Sequence, residues 1–255
     1  MSMKNFIAAV ALALLPATGF SAGAGFPLDD ANIDMSNQAS LQRGARNFVN
    51  YCMGCHSADY HRYSHVARDL GLPEDLLQSN LIFTTDAAGE PTKVGSLMFN
   101  NMNEQYGARA FGTMPPNLAL ISRSRGVDWL YTYLRTFYKD SSRPIGVNNL
   151  VFPDVGMPHV LWELQGERDA VFETVTDDDG NEHRQFVEFS QLSEGSLSPG
   201  EYDAFVRDLV NFLAYLGDPV KLERQRIGIW VMLFLFVFLG VAIALKKEYW
   251  KDIRK

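Results

Sequence analysis

The chain has 255 residues, of which 47% are hydrophobic and 21% are charged, a composition typical of a folded protein rather than a disordered one. Its formal net charge is −7, and without Lys4 and the last ten residues 17 basic and 28 acidic residues remain, a balance of about −11. This acidity excludes the basic face that nucleic acid binding requires. It suits either solubility or attraction of a basic protein partner.

The first 24 residues have the pattern of a secretory signal peptide. Lys4 precedes the apolar run "FIAAVALALLPATGFSAGA", which ends on small residues and predicts cleavage after Ala24. An uncleaved anchor is the alternative, but Pro16 interrupts the run, which is short for a membrane span. We therefore expect residues 25–226 to form an exported domain.

Three helices are predicted within this domain. Apolar residues at helical spacing indicate the first over residues 40–51, directly before the cysteines. An aromatic-rich stripe indicates the second from Asp128. The third covers residues 198–217, where the opening "SPGE" is typical of a capping box and a closing Gly-Asp-Pro stops the helix.

The remaining exported residues carry little periodic pattern. Residues 86–116 and 139–160 are predicted to be loops, and residues 171–190 alternate weakly around an Asp-Gly pair, which indicates a small β-hairpin. Loops this long need something to pack on, which favours a cofactor in the core. The expected fold is mainly α, with long loops and a small β insertion, followed by one transmembrane helix.

The predicted membrane span is "IGIWVMLFLFVFLGVAIAL", residues 227–245. At about 1.5 Å per residue it covers most of a hydrocarbon core of about 30 Å. The tail, residues 246–255, holds five basic residues against two acids, which suits the cytoplasmic side, although the segment before the span is also basic. Together with the signal peptide, this predicts a single span with the large domain exported.

Cys52 and Cys55 are the two cysteines of the sequence, and His56 follows the second. A redox dithiol would favour a strand–helix setting, which the surrounding pattern lacks. A zinc site needs four ligands, so His56 and either His61 or His65 would have to complete it. Cys-x-x-Cys-His is the spacing for covalent attachment of haem c, with the histidine as iron ligand. This third interpretation agrees best with export and with a chain that has no other cysteine.

A sixth iron ligand is then required, and the residues themselves leave it open. The candidates are Met114 in "GTMPP", Met157 in "VGMPH", and several histidines. Methionine opposite histidine raises the reduction potential and suits an electron carrier. The histidine candidates are His159, His61, His65 and His183.

Several segments resemble the cytochrome c1 family, the haem subunit of the cytochrome bc1 complex. They are "LQRGARNFVNYCMGCHSADYHRY", "MPPNLALISRSRG", "FPDVGMPHVL" and the C-terminal helix, span and basic tail, spread over most of residues 37–255. The resemblance implies covalent haem c on Cys52 and Cys55, with iron held by His56 and Met157. It makes Met114 a neighbour of the haem pocket rather than the ligand.

The resemblance also implies three further haem contacts. Pro116 would line the pocket, Arg125 would pair with a haem propionate, and Trp129 would lie at the haem edge. Asn117 departs from the family pattern, which usually has aspartate there, and the stretch after Arg125 is shorter than usual. A guanidinium is well suited to a partly buried carboxylate because it donates two parallel hydrogen bonds.

The function implied by the resemblance is a one-electron relay within ubiquinol–cytochrome c reductase. Electrons would pass from the Rieske iron–sulfur protein to a soluble cytochrome c, with cytochrome b as a further partner and a dimeric complex. The haem domain would lie on the periplasmic side of a bacterial inner membrane. The alternatives are a free-standing tethered cytochrome that donates to an oxidase, a non-redox haem sensor and a periplasmic thiol oxidoreductase. The acidic stretch at residues 173–182 would either attract a basic cytochrome c or form a solvated hairpin tip.

Overall fold

A computed structural model describes residues 26–86, 88–176, 180 and 182–252. The predicted signal peptide lies outside the described residues, as do four residues at or near the tip of the acidic stretch. Helices predominate, accompanied by short strands, so the expected mainly α fold with a small β insertion is confirmed.

The elements are numbered in chain order. The helices are α1 (Gln38–Tyr51), α2 (Tyr63–Asp69), α3 (Glu74–Asn80), α4 (Glu104–Phe111), α5 (Ile121–Arg125), α6 (Val127–Arg135), α7 (Trp162–Gln165), α8 (Pro199–Gly217) and α9 (Lys221–Tyr249). The strands are β1 (Ala58–Arg62), β2 (Leu97–Met98), β3 (Phe137–Lys139), β4 (Val147–Asn149), β5 (Arg168–Thr176) and β6 (Glu182–Gln191). They pair as β1–β2, β3–β4 and β5–β6, all antiparallel.

The core is built on the packing of α1 against α8. Asn37 caps α1 by accepting a hydrogen bond from the Ser40 amide, which is why the helix begins slightly before the predicted start. At the crossing, a Cβ on Gly44 would lie 2.1 Å from the Asp208 carbonyl oxygen. Only glycine allows the two helix backbones to approach this closely.

Helix α8 follows the prediction closely. Its capping box is present, because the Glu201 carboxylate accepts hydrogen bonds from both the amide and the hydroxyl of Ser198. Most of its side chains from Tyr202 onward are buried, so it forms the centre of the domain. The helix ends at Gly217, as its Gly-Asp-Pro sequence indicates.

Helix α9 is the expected membrane span and is longer than predicted. It begins at Lys221 and includes the basic segment that precedes the predicted span. Its 29 residues reach about 44 Å at 1.5 Å each, more than the hydrocarbon core requires. Only residues 218–220 separate it from α8, so the membrane helix follows the domain almost directly.

The predicted hairpin is present and extends further than expected. Strands β5 and β6 pair from Arg168 opposite Gln191 to Thr176 opposite Glu182, with an irregularity after Val171. One face carries the rings of Phe172, Phe186 and Phe189, each in contact with its neighbour. Phe26 closes this cluster edge-on, so the start of the described chain is held against the hairpin.

The prediction of loops over residues 86–116 and 139–160 is wrong in part. Helix α4 lies within the first, capped by the side chain of Asn103, and strand β4 lies within the second. Helix α4 has only eight residues and a glycine at its centre, so its apolar pattern is too short to recognise. Gly107 is needed because the sulfurs of Met114 and Met102 pack where a side chain would stand.

Candidate functional site

The two cysteines lie where α1 ends. The Cys52 amide donates to the Phe48 carbonyl, and the amides of Cys55 and His56 donate back to the Cys52 carbonyl at 3.1 and 2.9 Å. The chain therefore closes into a compact turn directly after the helix. The local hydrogen bonds fix the backbone that carries both thiols and the imidazole.

The thiols are unpaired with each other and poorly suited to redox exchange. Cys52 is buried, and burial raises its pKa to about 12. Burial also raises the pKa of Cys55. A reactive dithiol needs a thiolate, which a raised pKa opposes. Burial of the two thiols therefore opposes thiol–disulfide exchange at this turn.

The His56 ring is oriented by one strong contact. Its Nδ1–H donates to the Pro116 carbonyl oxygen at 2.7 Å, because a carbonyl can only accept. The lone pair of Nε2 is then directed away from this contact and is available to a metal. Burial lowers the pKa of His56, so the ring is held in the neutral form that binds metals.

The loop that contacts His56 is held against the same turn. The Leu118 amide donates to the Ser57 carbonyl at 2.8 Å, and the Asn117 side chain contacts the Asp59 carboxylate. The Pro116 ring itself is exposed, so its observed contribution is the carbonyl that orients His56.

The Met157 side chain lies half-buried at the edge of the core. Its sulfur accepts a hydrogen bond from the Tyr133 hydroxyl at 3.3 Å. Asn149 secures the preceding part of the loop by donating to the Tyr133 carbonyl at 2.8 Å while accepting from the amides of Val151 and Phe152. Met157 thus stands beside α6, with its loop fastened to the same helix.

Three of the other ligand candidates are engaged elsewhere, whereas His65 and His183 are exposed. The Met114 sulfur packs on Gly107 of α4. The His159 ring stacks on Phe137, its Nε2 lies 2.9 Å from the Gln165 side-chain oxygen, and burial lowers its pKa to about 4. The Nε2–H of His61 donates to the Leu216 carbonyl at 2.8 Å.

Arg125 and Trp129 are connected to Met157 through Tyr133. The Arg125 guanidinium carbon is 5.1 Å from the Trp129 ring and 5.5 Å from the Phe152 ring. Trp129 stacks on Tyr133 with ring centroids 4.8 Å apart, and Tyr133 contacts Met157. Arg125 itself is exposed and, within the described part of the chain, has no carboxylate within ion-pair distance.

The predicted site residues therefore form two groups. Cys52, Cys55, His56 and Pro116 belong to the turn after α1 and the loop against it. Arg125 contacts Trp129, which is linked to Met157 through Tyr133 of α6. Sequence reasoning missed the hydroxyl of Tyr133 and the amide of Asn149. Tyr133 belongs to the aromatic-rich stripe that predicts α6, which gives no sign of a role for its hydroxyl, and nothing near Asn149 in the sequence indicates its role.

The combined donor set fits a covalent haem c. Two neutral thiols can add to vinyl groups, an imidazole nitrogen is free, and a thioether sulfur carries a spare lone pair. The described residues contain no group of three His, Cys, Asp or Glu side chains that could hold a metal ion.

A cavity of about 720 Å³ opens beside the turn. None of the predicted ligands lines it. Its walls are formed by Val49, Asn50, Met53, Gly54, Phe83, Thr84, Asn101, Met102, Asn103 and Tyr106. The cavity therefore neighbours the Cys-x-x-Cys segment through the two residues between the cysteines.

Comparison with known proteins identifies the family. A model described as the Cytochrome C1 family matches residues 30–179. A cytochrome c1 from Allochromatium vinosum is 49% identical over 98% of this chain and 100% of its own length. An ammonia monooxygenase gamma subunit from Nitrosomonas europaea is 45% identical over 99% of this chain and 100% of its own length. A cytochrome c1 from Blastochloris viridis is 24% identical over 86% of this chain and 83% of its own length.

Covalent haem c is the cofactor of the matching family, and Cys52 and Cys55 are the cysteines of this chain. Cytochrome c1 is the haem-carrying electron-transfer subunit of the bc1 complex, and helix α9 is long and apolar enough to anchor such a subunit in a membrane. The family model matches residues 30–179, and the identity of 49% to a cytochrome c1 extends over 98% of the chain, which includes the cysteine turn. This chain therefore belongs to the cytochrome c1 family.

Proposed function

We propose that this protein relays single electrons from a Rieske iron–sulfur protein to a soluble cytochrome c within ubiquinol–cytochrome c reductase. The observation that carries the proposal is the hydrogen bond from His56 Nδ1 to the Pro116 carbonyl oxygen at 2.7 Å. His56 directly follows Cys55 in the sequence, and both thiols are free. The hydrogen bond leaves one ring nitrogen free for iron beside the cysteines that would form the thioether bonds. When bound, haem c supplies reversible one-electron chemistry at its iron.

In this proposal each residue of the site has a distinct task. Cys52 and Cys55 would hold the cofactor covalently, and His56 and the Met157 sulfur would bind its iron. The Pro116 carbonyl fixes the orientation of the imidazole. Methionine as second ligand suits an electron carrier, because a thioether favours the reduced metal.

Arg125 and Trp129 form the edge of the proposed site. The Arg125 guanidinium lies over two aromatic rings and leaves its hydrogen-bond donors for a propionate of the cofactor. Trp129 is almost fully buried and supplies a flat apolar wall. Both tasks are consistent with their connection to Met157 through Tyr133.

The short connection between α8 and α9 supports a place in a larger complex. With only residues 218–220 between them, the haem domain would stay close to the membrane surface. A free-standing tethered cytochrome needs a longer linker to reach its acceptor. We therefore infer partners in the membrane, cytochrome b and the Rieske protein, in a dimeric complex.

We further propose the following arrangement along the chain. Residues 1–24 are a cleaved signal peptide, residues 25–226 form the periplasmic haem domain, and residues 227–245 span the bacterial inner membrane. Residues 246–255 form the cytoplasmic tail. The five basic residues of this tail support the orientation.

The test is purification of the full-length protein from membranes under mild detergent, followed by reduced-minus-oxidised spectroscopy. We expect c-type and b-type haem to co-purify with an iron–sulfur protein. Haem that stays on the chain after denaturation, with thioether bonds mapped to Cys52 and Cys55, supports the anchor. A lone c-type cytochrome would contradict the complex, and a chain without covalent haem would contradict the site.

A further inference from the structure

The hydroxyl of Tyr133 has a single partner. It donates to the Met157 sulfur at 3.3 Å, and no other hydrogen bond of this hydroxyl occurs among the described residues. Tyr133 is only 8% exposed. A buried hydroxyl without a partner costs roughly 1–3 kcal/mol, so this pairing with the thioether is favoured.

The ring of Tyr133 is held on two sides. Trp129, one helical turn earlier, stacks on it with an interplanar angle of 10°, and Phe137 meets it edge-on with centroids 5.1 Å apart. These contacts leave the ring little freedom to rotate. The hydroxyl is therefore aimed at the Met157 sulfur by packing rather than by the hydrogen bond alone.

The backbone of the same residue also holds the methionine loop. The Tyr133 carbonyl accepts from the Asn149 side chain, and the oxygen of that side chain accepts from the amides of Val151 and Phe152. Tyr133 of α6 therefore contacts both the Met157 sulfur and, through Asn149, the start of the methionine loop. A shift of α6 would move both together.

A thioether sulfur has two lone pairs. One can bind iron while the other accepts a hydrogen bond, so the Tyr133 contact is compatible with ligation by Met157. A donor on the second lone pair withdraws electron density from the sulfur. The sulfur then stabilises ferric iron less, and the reduction potential rises.

We propose that Tyr133 is a positioning residue that directs the Met157 thioether and raises the reduction potential through its hydroxyl. This inference rests on the proposed function, because it takes Met157 as the iron ligand. It adds a specific tuning group that neither the cysteine motif nor the methionine loop contains.

The test is Tyr133→Phe in the full-length membrane protein, with Tyr131→Phe as matched control. Phenylalanine keeps the stacked ring and removes only the hydroxyl. Tyr131 is equally buried on the same helix, but its hydroxyl contacts Arg207 instead. We expect Tyr133→Phe to lower the midpoint potential and to shift the weak red absorption band of methionine-ligated ferric haem. The control should match the parent in both, and a Tyr133→Phe protein that matches the parent would overturn the proposal.

Two further measurements keep the outcome decisive. If Tyr133→Phe does not accumulate, the parent chain is produced with 3-fluorotyrosine, a stronger hydrogen-bond donor, and a higher potential is expected; an unchanged potential overturns the inference.

Met157→Leu is measured in parallel. If it leaves the red band intact, the ligand assignment of the proposed function fails. If it removes the band while Tyr133→Phe changes nothing, only the present inference fails.

Discussion

The Nδ1 atom of His56 lies 2.7 Å from the carbonyl oxygen of Pro116, across sixty residues of sequence. The contact joins the end of helix α1 to the loop before α5 and fixes which ring nitrogen is free. A side-chain change cannot remove a backbone carbonyl, so the relationship is best tested through the ring.

His56→Gly should retain covalent haem on the cysteines but lose the low-spin spectrum, because the proposed nitrogen ligand is gone. Added imidazole should restore much of that spectrum by occupying the vacated position. Absorbance spectra of ferric and ferrous protein provide the measurement. His65→Ala, an exposed histidine nearby, is the control and should leave the spectrum unchanged. An unchanged spectrum in His56→Gly would rule out His56 as the ligand.

Met157→Leu should abolish methionine ligation and lower the midpoint potential sharply. Met114→Leu should preserve ligation, since the Met114 sulfur packs on Gly107 rather than facing the Tyr133 hydroxyl. Redox titration with ferric-state spectroscopy compares the two variants directly. Loss of methionine ligation in Met114→Leu would show that the assignment of the two residues is reversed.

Gly44→Ala should destabilise the domain strongly. The added Cβ would lie 2.1 Å from the Asp208 carbonyl oxygen and 2.6 Å from the Phe212 Cβ, neither of which can move without separating α1 from α8. Overpacking of this kind costs about 1–3 kcal/mol or more in unfolding free energy. Thermal and denaturant unfolding of the detergent-solubilised protein provide the measurement.

The matched control for this crossing is Gly200→Ala. Gly200 lies in the first turn of α8, where a Cβ would meet nothing within 4 Å. Alanine is favoured over glycine in a helix by up to about 1 kcal/mol, so this variant should be neutral or slightly more stable. Equal losses in both variants would refute the close-approach argument.

The stability contributed by His61 should depend on pH. Burial lowers its pKa below the ordinary value of 6.5, even though the ring donates to the Leu216 carbonyl. The unfolded chain therefore binds this proton more readily than the folded one. The contribution is present above about pH 6.5 and is lost as the pH falls through the folded pKa.

His61→Gln keeps an N–H donor but cannot titrate. The melting temperature of the parent relative to this variant should fall as the pH is lowered from 8 to 5, a range that spans the ordinary pKa of histidine of about 6.5. Taking the difference between the two proteins removes the pH dependence of stability that they have in common. A difference that is constant with pH, or one that grows in acid, would contradict the prediction.

Several features were predictable because their physics is local. The apolar length of residues 227–245 indicates a membrane helix, and the Ser198–Glu201 spacing indicates the start of α8. Helix α4 was missed because eight residues with Gly107 at the centre show no clear period. Its central glycine packs against the sulfurs of Met102 and Met114, which flank the helix on either side in the sequence.

By itself, the sequence determined that two cysteines and a histidine lie in one short segment, because only two residues separate the cysteines and the histidine follows the second. It left two Met-Pro segments equivalent for the opposite ligand. Only the tertiary structure decided what each sulfur meets, Gly107 for Met114 and the Tyr133 hydroxyl for Met157. The second contact depends on how α6 and the methionine loop pack together, and a pairing across 24 residues leaves no periodic trace along the chain.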